Sequence, residues 1–556
     1  MTNNVTISDF LGNDLIGFVL SDASVTAIPI SIFAGQPATS IRTETLALVH
    51  DEEHPGTPII LGVVRWIRRL EPYLRPRVKV GVEEYPDAID RIEKLTYTNV
   101  YVIPIAEIAT QDNRIAGISW NVTYVPFPGS KVYRVRRGDL LTSLIASSLT
   151  EMQSPLVVGT HKYSGDVEVP LDPRYIQYHI GIFGATGMGK SRLAKVLIDE
   201  IVQKTEFSVI IFDHTGMDYT VFYPDTTITS LEVDLGPSGI ADFFMETLRL
   251  SDYYSTYLEC FSIELKKCME GQEEKPKPVD IESYRKGLSQ VHRDAYVGQS
   301  ATKLREFIQK YKKELKSTVD TEGRSKLLND IHANMTELLK RVASKLGARP
   351  ETVENLAWRM SYFIKPEDLE IMLLRRERPI GALFDLARDA KRQGKPLVID
   401  LSFEYTLEMK KAIIGDIIDY GWRWIYRENF LSGKHRYVPI NTVIVIDEAQ
   451  NYAWGSDYCE GQVEKIAREG RKWGYGLIVL SQRLAGSVDP DIRANLNTVF
   501  FSRLSQTTDL KEIREFADIA GIDESDLAQL MPREFYVAGL MSPLRKPIAI
   551  RVREVK

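Results

Sequence analysis

The sequence predicts an α/β protein: a phosphate-loop core built on buried parallel strands, interrupted by a helical insertion and preceded by a small β-rich domain. Three observations predict it. Gly184-Ala185-Thr186-Gly187-Met188-Gly189-Lys190-Ser191 fits the pattern G-x-x-x-x-G-K-[ST] at every fixed position. Apolar runs without polar alternation recur after it, at Phe207–Phe212, Pro396–Leu401, Thr442–Ile446, Leu477–Leu480 and Val499–Phe501, as strands covered on both faces do. Short β-rich runs punctuated by glycine, proline and aspartate fill the first 150 residues.

The loop has the flanks its chemistry needs. Ile180-Gly181-Ile182-Phe183 reads as a strand leading in. Leu193, Ala194, Leu197, Ile198 and Ile201 recur at helical spacing on one face, so a helix leads out. Glycines let the backbone curl until several N–H groups point at phosphate oxygens, and the helix N-terminus adds partial positive charge. The candidate nucleotide cradle is Gly184, Ala185, Thr186, Gly187, Met188, Gly189, Lys190, Ser191 and Arg192. Lys190 is placed to reach the β- and γ-phosphates of ATP, and the Ser191 hydroxyl to hold Mg²⁺.

Composition narrows the class. A chain of 556 residues suggests about two to four domains. Cys260, Cys268 and Cys459 are too few and too scattered for a disulfide framework or a zinc site, which suits a reducing, cytoplasmic setting. Asn3, Asn4 and Asp9 interrupt any apolar run at the start, so no signal peptide is expected. No segment is long and apolar enough to span a bilayer, and no membrane partner is expected. The formal net charge of −6 argues against wholesale coating of nucleic acid but not against a local basic channel.

In chain order, β-rich runs fall at Ser40–His50, Pro58–Val64, Arg77–Val82, Val100–Ile105 and, with alternation, Ile118–Val125. They predict a small barrel or sandwich. Arg65, Arg68, Arg69, Arg75, Arg77, Arg134, Arg136 and Arg137 gather here, as a solvated face or a DNA contact. A boundary is expected near Ser147–Pro155. From about Val157 strands and helices alternate. The stretch from about Ile240 to Glu367 is rich in Lys, Glu, Leu and Tyr and poor in strand signals, and reads as a helical insertion. Leu304–Leu315 and Ile331–Leu346 are amphipathic helices within it, and Gly271–Pro278 reads as an exposed loop.

Asp447-Glu448 ends an apolar strand with two acids. In parallel sheets ligands sit at the carboxyl ends of strands, where the phosphate loop also lies. Asp447 is the expected metal ligand beside Ser191, and Glu448 the expected base that orients and deprotonates an attacking water. Gln482 ends the neighbouring strand; its amide could hydrogen-bond the γ-phosphate or the water, or face solvent.

These elements occur in one order: the β-rich start, Gly184–Ser191, Asp213–Tyr219, the insertion, Ile446-Asp447-Glu448-Ala449-Gln450, Ala467–Gly474 and Leu480-Ser481-Gln482-Arg483. That order resembles the HerA family, within the HerA–FtsK group of hexameric DNA-translocating ATPases. The resemblance covers most of the chain and is strongest in the ATPase core. It implies a RecA-like core, an N-terminal β-barrel of the kind shared with rotary ATP synthases, and a homohexameric ring around double-stranded DNA. It also implies a NurA-type nuclease partner and a role in processing DNA ends during double-strand break repair. The family's Asp-x-x-Gly-Glu-Tyr box departs here, with Met217-Asp218 where a single Glu is expected. Ring motors complete their sites with an arginine from the neighbouring subunit. Arg468 and Arg471, three apart and so on one face of a helix, are the candidates, with Arg471 favoured. Pro543–Ile548 reads as an extended, proline-broken tail, which the family would use to brace a neighbour. The expected parts are a barrel over 1–150, the core over 151–239 and 368–540, the insertion over 240–367 and a tail over 541–556. The alternative from another class is a ring ATPase that remodels or secretes protein.

Overall fold

The computed structural model describes residues 5–32, 41–70, 97–149, 154–270, 299–314, 321–374, 378–431, 437–455, 457–504, 507–516, 519 and 521–555. The strand expected over Arg77–Val82, the residues Arg75 and Arg77, the side chains of Arg68 and Arg69, Leu315 and the loop Gly271–Pro278 lie outside them. In chain order the strands are β1 (Leu15–Val19), β2 (Ile28–Ile32), β3 (Leu46–His50), β4 (Ile59–Leu70), β5 (Tyr97–Gln111), β6 (Arg114–Ser119) and β7 (Lys131–Arg134). Then come β8 (Leu156–His161), β9 (Glu168–Leu171), β10 (Ile180–Phe183), β11 (Ser208–Asp213), β12 (Thr227–Thr229), β13 (Val233–Asp234), β14 (Arg378–Pro379) and β15 (Leu397–Asp400). The last are β16 (Thr442–Ile446), β17 (Tyr475–Ser481), β18 (Thr498–Phe501), β19 (Glu534–Gly539) and β20 (Ile548–Val552). The chain divides into two compact units: residues 1–209, 441–449 and 474–556 form the first, and 210–440 with 450–473 the second.

The first unit opens with a closed barrel. Its ring runs β1–β7–β3–β4–β5–β2 and back to β1, every neighbour antiparallel, and β6 hangs from β5 outside the ring. Closure leaves the ring with no free edge to pair with another chain. Inward residues at period two fill it: Ile16, Ile28, Ile30, Ala47, Val49, Ile60, Val64, Val100, Val102 and Val132. The expected strand over Ile118–Val125 stops at Ser119. The cause is local: the Glu107 carboxylate of β5 accepts the backbone N–H groups of Thr123 and Tyr124, the latter at 2.6 Å, and holds that stretch out of a ladder.

Of the arginine group, Arg65 is not on a surface. It is 2% exposed and forks onto Glu44, with Nε 2.9 Å from Oε1 and Nη2 3.3 Å from Oε2. It also donates to the carbonyls of Ile519 at 3.3 Å and Pro547 at 2.8 Å, tying β4 to the end of the chain. Arg134 and Arg136 share Asp14, and Arg137 pairs with Asp139.

The same unit carries a mixed sheet in the order β16–β17–β10–β18–β19–β20–β8–β9. β16, β17, β10 and β18 are parallel, and the remaining pairs antiparallel. The expected tail therefore needs correcting. Beyond a turn, Ile548–Val552 is an interior strand between β19 and β8 of its own chain, with Ile548, Ala549, Ile550 and Val552 buried. Leu193, Ala194, Leu197, Ile198 and Ile201 of helix Lys190–Lys204 are all fully buried, as their spacing predicts.

In the second unit, β15 lies between β12 and β11, all parallel, and β13 pairs with β14. Between those last two strands the described residues form helices and no strand. The long helix Thr321–Lys345 packs on Gln299–Glu314, Ser255–Glu270, Pro350–Phe363 and Pro366–Leu374. No described helix is long and apolar enough to cross a membrane.

Helix Pro237–Thr247 buries Asp242, whose Oδ2 finds no hydrogen-bond partner. Desolvation, then repulsion from Asp457, Glu246 and Asp416, pushes its carboxyl up to about 8, with Lys411 opposing. The folded state therefore holds a proton that the unfolded chain releases near pH 4. The stability so gained is complete below that pH and is lost as pH rises through about 8. Asp242→Asn, which mimics the protonated form, is expected to add on the order of 2 kcal/mol or more at pH 8 and little at pH 4. Thermal unfolding of wild type and variant at the two pH values measures it; an equal shift at both would contradict the assignment.

Candidate functional site

The phosphate loop sits where β10 ends, and backbone hydrogen bonds hold it from both sides. Gly184 N–H donates to Ser481 O at 3.3 Å, at the end of β17, and Ala185 N–H to Arg503 O at 2.8 Å, beyond β18. Arg533 N–H donates to Met188 O at 2.9 Å. Gly187 and Gly189 take φ of +81° and +90°, left-handed values that glycine adopts without a Cβ clash. Gly189 caps the helix that starts at Lys190, so the curl turns directly into a helix N-terminus. The Lys190 ammonium donates to Gly184 O at 3.0 Å and so lies folded across its own loop. Thr186, Gly187 and Arg192 are exposed at the mouth, and Ser191 is half-buried in the first turn.

Strand register brings the acid pair to the same sheet edge. Phe183 is level with Ser481 across β10–β17, and Ile446 with Val479 across β16–β17. Asp447 and Glu448 follow Ile446 at once, and Gln482 follows Ser481. Asp447 is 4% exposed, and its Oδ1 accepts the Glu448 N–H at 2.8 Å. Glu448 has φ of +49°, in the left-handed region. A non-glycine residue there costs on the order of 1 kcal/mol or more, and such outliers gather at working sites. Gln482 links the parts. Its Nε2 donates to both Glu448 oxygens at 3.3 Å, and its Oε1 accepts the Thr186 hydroxyl at 3.1 Å. A continuous polar path thus runs from Glu448 through Gln482 to the loop, and Gln482 does not simply face solvent.

The donor set suits a hard, oxygen-seeking cation. Ser191 brings a hydroxyl and Asp447 a carboxylate, the ligand types that hold Mg²⁺ alongside phosphate oxygens. Lys190 and the helix N-terminus carry positive charge of the kind that suits a polyphosphate.

The remaining expected residues belong to the second unit. Arg468 closes the last turn of helix Tyr458–Glu469 and pairs with Glu464 at 2.7 Å. The expected shared helix face does not form. The α-helix ends at Glu469, and the exposed Arg471 stands in the 3₁₀ turn Gly470–Trp473. That turn is braced by the Tyr437 hydroxyl, which donates to Lys472 O at 2.5 Å, and by Tyr437 stacked on Trp473. Asp213 is buried and organises its own loop, accepting from the N–H groups of Thr215, Gly216, Tyr219 and Thr220. Asp218 accepts from the Thr215 hydroxyl at 3.2 Å, a local turn contact. His214 Nδ1 meets the Tyr452 hydroxyl at 2.5 Å and Lys410 donates to His214 O at 2.9 Å, neither of which any sequence spacing announced.

A family model described as the central domain of helicase HerA matches residues 156–419. A DNA double-strand break repair helicase HerA from Pyrococcus furiosus is 23% identical, with 98% of this chain and 93% of that protein covered. The protein of the same name from Saccharolobus solfataricus is 23% identical over 70% of this chain and 67% of its own length. Among solved structures, the conjugative coupling protein TrwB covers 76% of this chain and 93% of its own at 14% identity and a TM-score of 0.44. VirB4 of Thermoanaerobacter pseudethanolicus covers 73% and 98% at 17% identity and a TM-score of 0.40.

Separable defects are expected at this site. Lys190→Ala removes a charge-assisted phosphate contact and should weaken binding of a non-hydrolysable ATP analogue by about tenfold or more. Glu448→Gln should leave that affinity unchanged while abolishing turnover. Nucleotide titration alongside a phosphate-release assay measures both, and matching binding defects would contradict the division of roles.

Proposed function

We propose, from the match of residues 156–419 to the HerA helicase central-domain model, that this chain is an ATP-driven translocase of double-stranded DNA. It works as a homohexameric ring of RecA-like cores, with the barrel at the amino-terminal end of each subunit and the helices between β13 and β14 as an insertion. In this reading it serves DNA end processing in double-strand break repair alongside a NurA-type nuclease. The observation that carries the reading is the path Glu448–Gln482–Thr186 at the mouth of the phosphate loop. A loop that only bound nucleotide would need neither a strained acid nor an amide bonded to both.

The chain's own groups divide the work. The loop's N–H groups and Lys190 hold the β- and γ-phosphates. Ser191 and Asp447 would hold Mg²⁺, which would screen charge on those phosphates. Glu448 takes the proton of the attacking water, and Gln482 fixes the carboxylate relative to the γ-phosphate. Arg471 of a neighbouring subunit, exposed in the turn beyond the helix that ends at Glu469, stabilises charge on the transferring phosphoryl group, with Arg468 as the other candidate.

ATP turnover is expected to rise on adding duplex DNA, and Arg471→Ala to bind ATP but lose turnover by about a thousandfold. Mixing Arg471→Ala with Glu448→Gln should restore part of it, since some interfaces then hold an intact base and an intact arginine. Turnover indifferent to DNA but raised by a protein substrate would favour the protein-remodelling alternative. No recovery despite proven subunit exchange would remove Arg471 from the site.

A further inference from the structure

The two flanks of the phosphate loop are built differently. On one side of β10, β17 and β16 deliver Gln482, Asp447 and Glu448. On the other side, β18 leads to Arg503, and β19, antiparallel to β18, is entered through Arg533. Because β19 runs the opposite way, its first residues stand level with the last residues of β18: Tyr536 is opposite Phe501. Arg533 thus reaches the loop from the flank opposite the Asp447–Glu448 pair.

Its setting is specific. Arg533 has φ of +71°, a left-handed backbone in a residue that is not glycine. Its N–H donates to Met188 O inside the loop, and its carbonyl accepts Val552 N–H at 2.9 Å, so the strained position is held from both sides. A Cβ built on Gly189 would lie 3.5 Å from Arg533 Cγ. The aliphatic stem therefore runs along the cap of the Lys190–Lys204 helix, where phosphates are gripped. The Arg533 side chain is 31% exposed, and its guanidinium meets the carboxylate of Glu554, a side chain that is 83% exposed, at 3.1 Å. An exposed partner of this kind is weakly held and open to exchange for another anion.

We propose that Arg533 is a nucleotide-binding residue that grips the non-transferring phosphates from the flank opposite Glu448, exchanging Glu554 for phosphate oxygen when nucleotide enters. The inference rests on the phosphate-loop reading given above. A guanidinium matches the fork of two phosphate oxygens, and the fixed backbone leaves little of its freedom to be lost on binding. Since it touches phosphates that do not react, it acts in ground state and transition state alike and lowers KM without raising kcat. No motif spacing marks it, because it lies far along the chain from the loop it touches.

The test is calorimetric titration of the intact chain with ADP, with steady-state ATP turnover in parallel. Arg533→Gln is expected to weaken ADP binding and raise the KM for ATP by about tenfold, with kcat unchanged. Glu554→Gln, which removes the competing anion, is expected to tighten ADP binding. Unchanged ADP affinity in Arg533→Gln, with Lys190→Ala defective, overturns this inference alone. Equal weakening in Arg533→Gln and Glu554→Gln makes the ion pair a structural brace and also overturns it. A fall in kcat at unchanged KM would place Arg533 on the reacting phosphate and overturn the flank assignment. A wild-type chain that binds no ADP would instead overturn the phosphate-loop reading itself.

Discussion

The phosphate loop can be pre-shaped only because β10 lies in the interior of a parallel sheet. A loop leaving an edge strand could be fixed from one side at most. Here Ser481 and Arg503 present carbonyls to consecutive loop residues from strands on opposite sides, and Met188 is held by Arg533. Those bonds use carbonyls at the end of β17 and just past β18, so the sheet's regularity dictates the loop's irregularity. With its curl fixed in advance, a bound triphosphate need not order the backbone that holds it, and that ordering entropy is not lost on binding.

The same economy of position explains the strained acid. An extended residue at 448 would continue the direction of β16 and carry its side chain away from the neighbouring strand. The left-handed turn at Glu448, with its N–H capped by the Asp447 carboxylate, points the chain so that the second carboxylate meets Gln482. Two adjacent acids thereby take separate surroundings: Asp447 buried at the strand end, Glu448 partly open beside an amide.

What the sequence shows of this arrangement is what local chemistry encodes. Gly184–Ser191 carries its own turn chemistry, and the buried faces of Ile180–Phe183 and Thr442–Ile446 announce strands whose ends face one way. Gln482 could be placed beside Glu448 by asking only which apolar strands end together. The barrel was legible as short β-rich runs, but not its closure, since the β2–β5 pairing joins segments far apart in the chain. Arg65 looked like one member of a basic cluster because charge counting is blind to Glu44, Ile519 and Pro547. The end of the helix before Arg471 is hidden from the sequence for a different reason. Gly470 weakens an α-helix, and stacking of Tyr437 on Trp473 favours the tighter turn, a contact no periodicity contains. Asn121–Val125 alternates like a strand, yet a single carboxylate from β5 claims its amides.

The buried guanidinium of Arg65 sets a timetable. One of its acceptors, the Pro547 carbonyl, lies 482 residues further along the chain. The neighbouring strand β20 follows at once, and until it arrives β8 has no partner on that side. At ribosomal speed, about 5–20 residues per second, the nascent chain waits on the order of half a minute or more with this charge and this strand edge incompletely matched. The barrel, made long before Pro547, is thus sealed only after most of the core has been made. A stop codon removing only the final dozen residues would leave Ile550 and Val552 absent from the middle of a sheet rather than trim a loose end. A chain whose synthesis is unfinished therefore lacks the strand its own core requires.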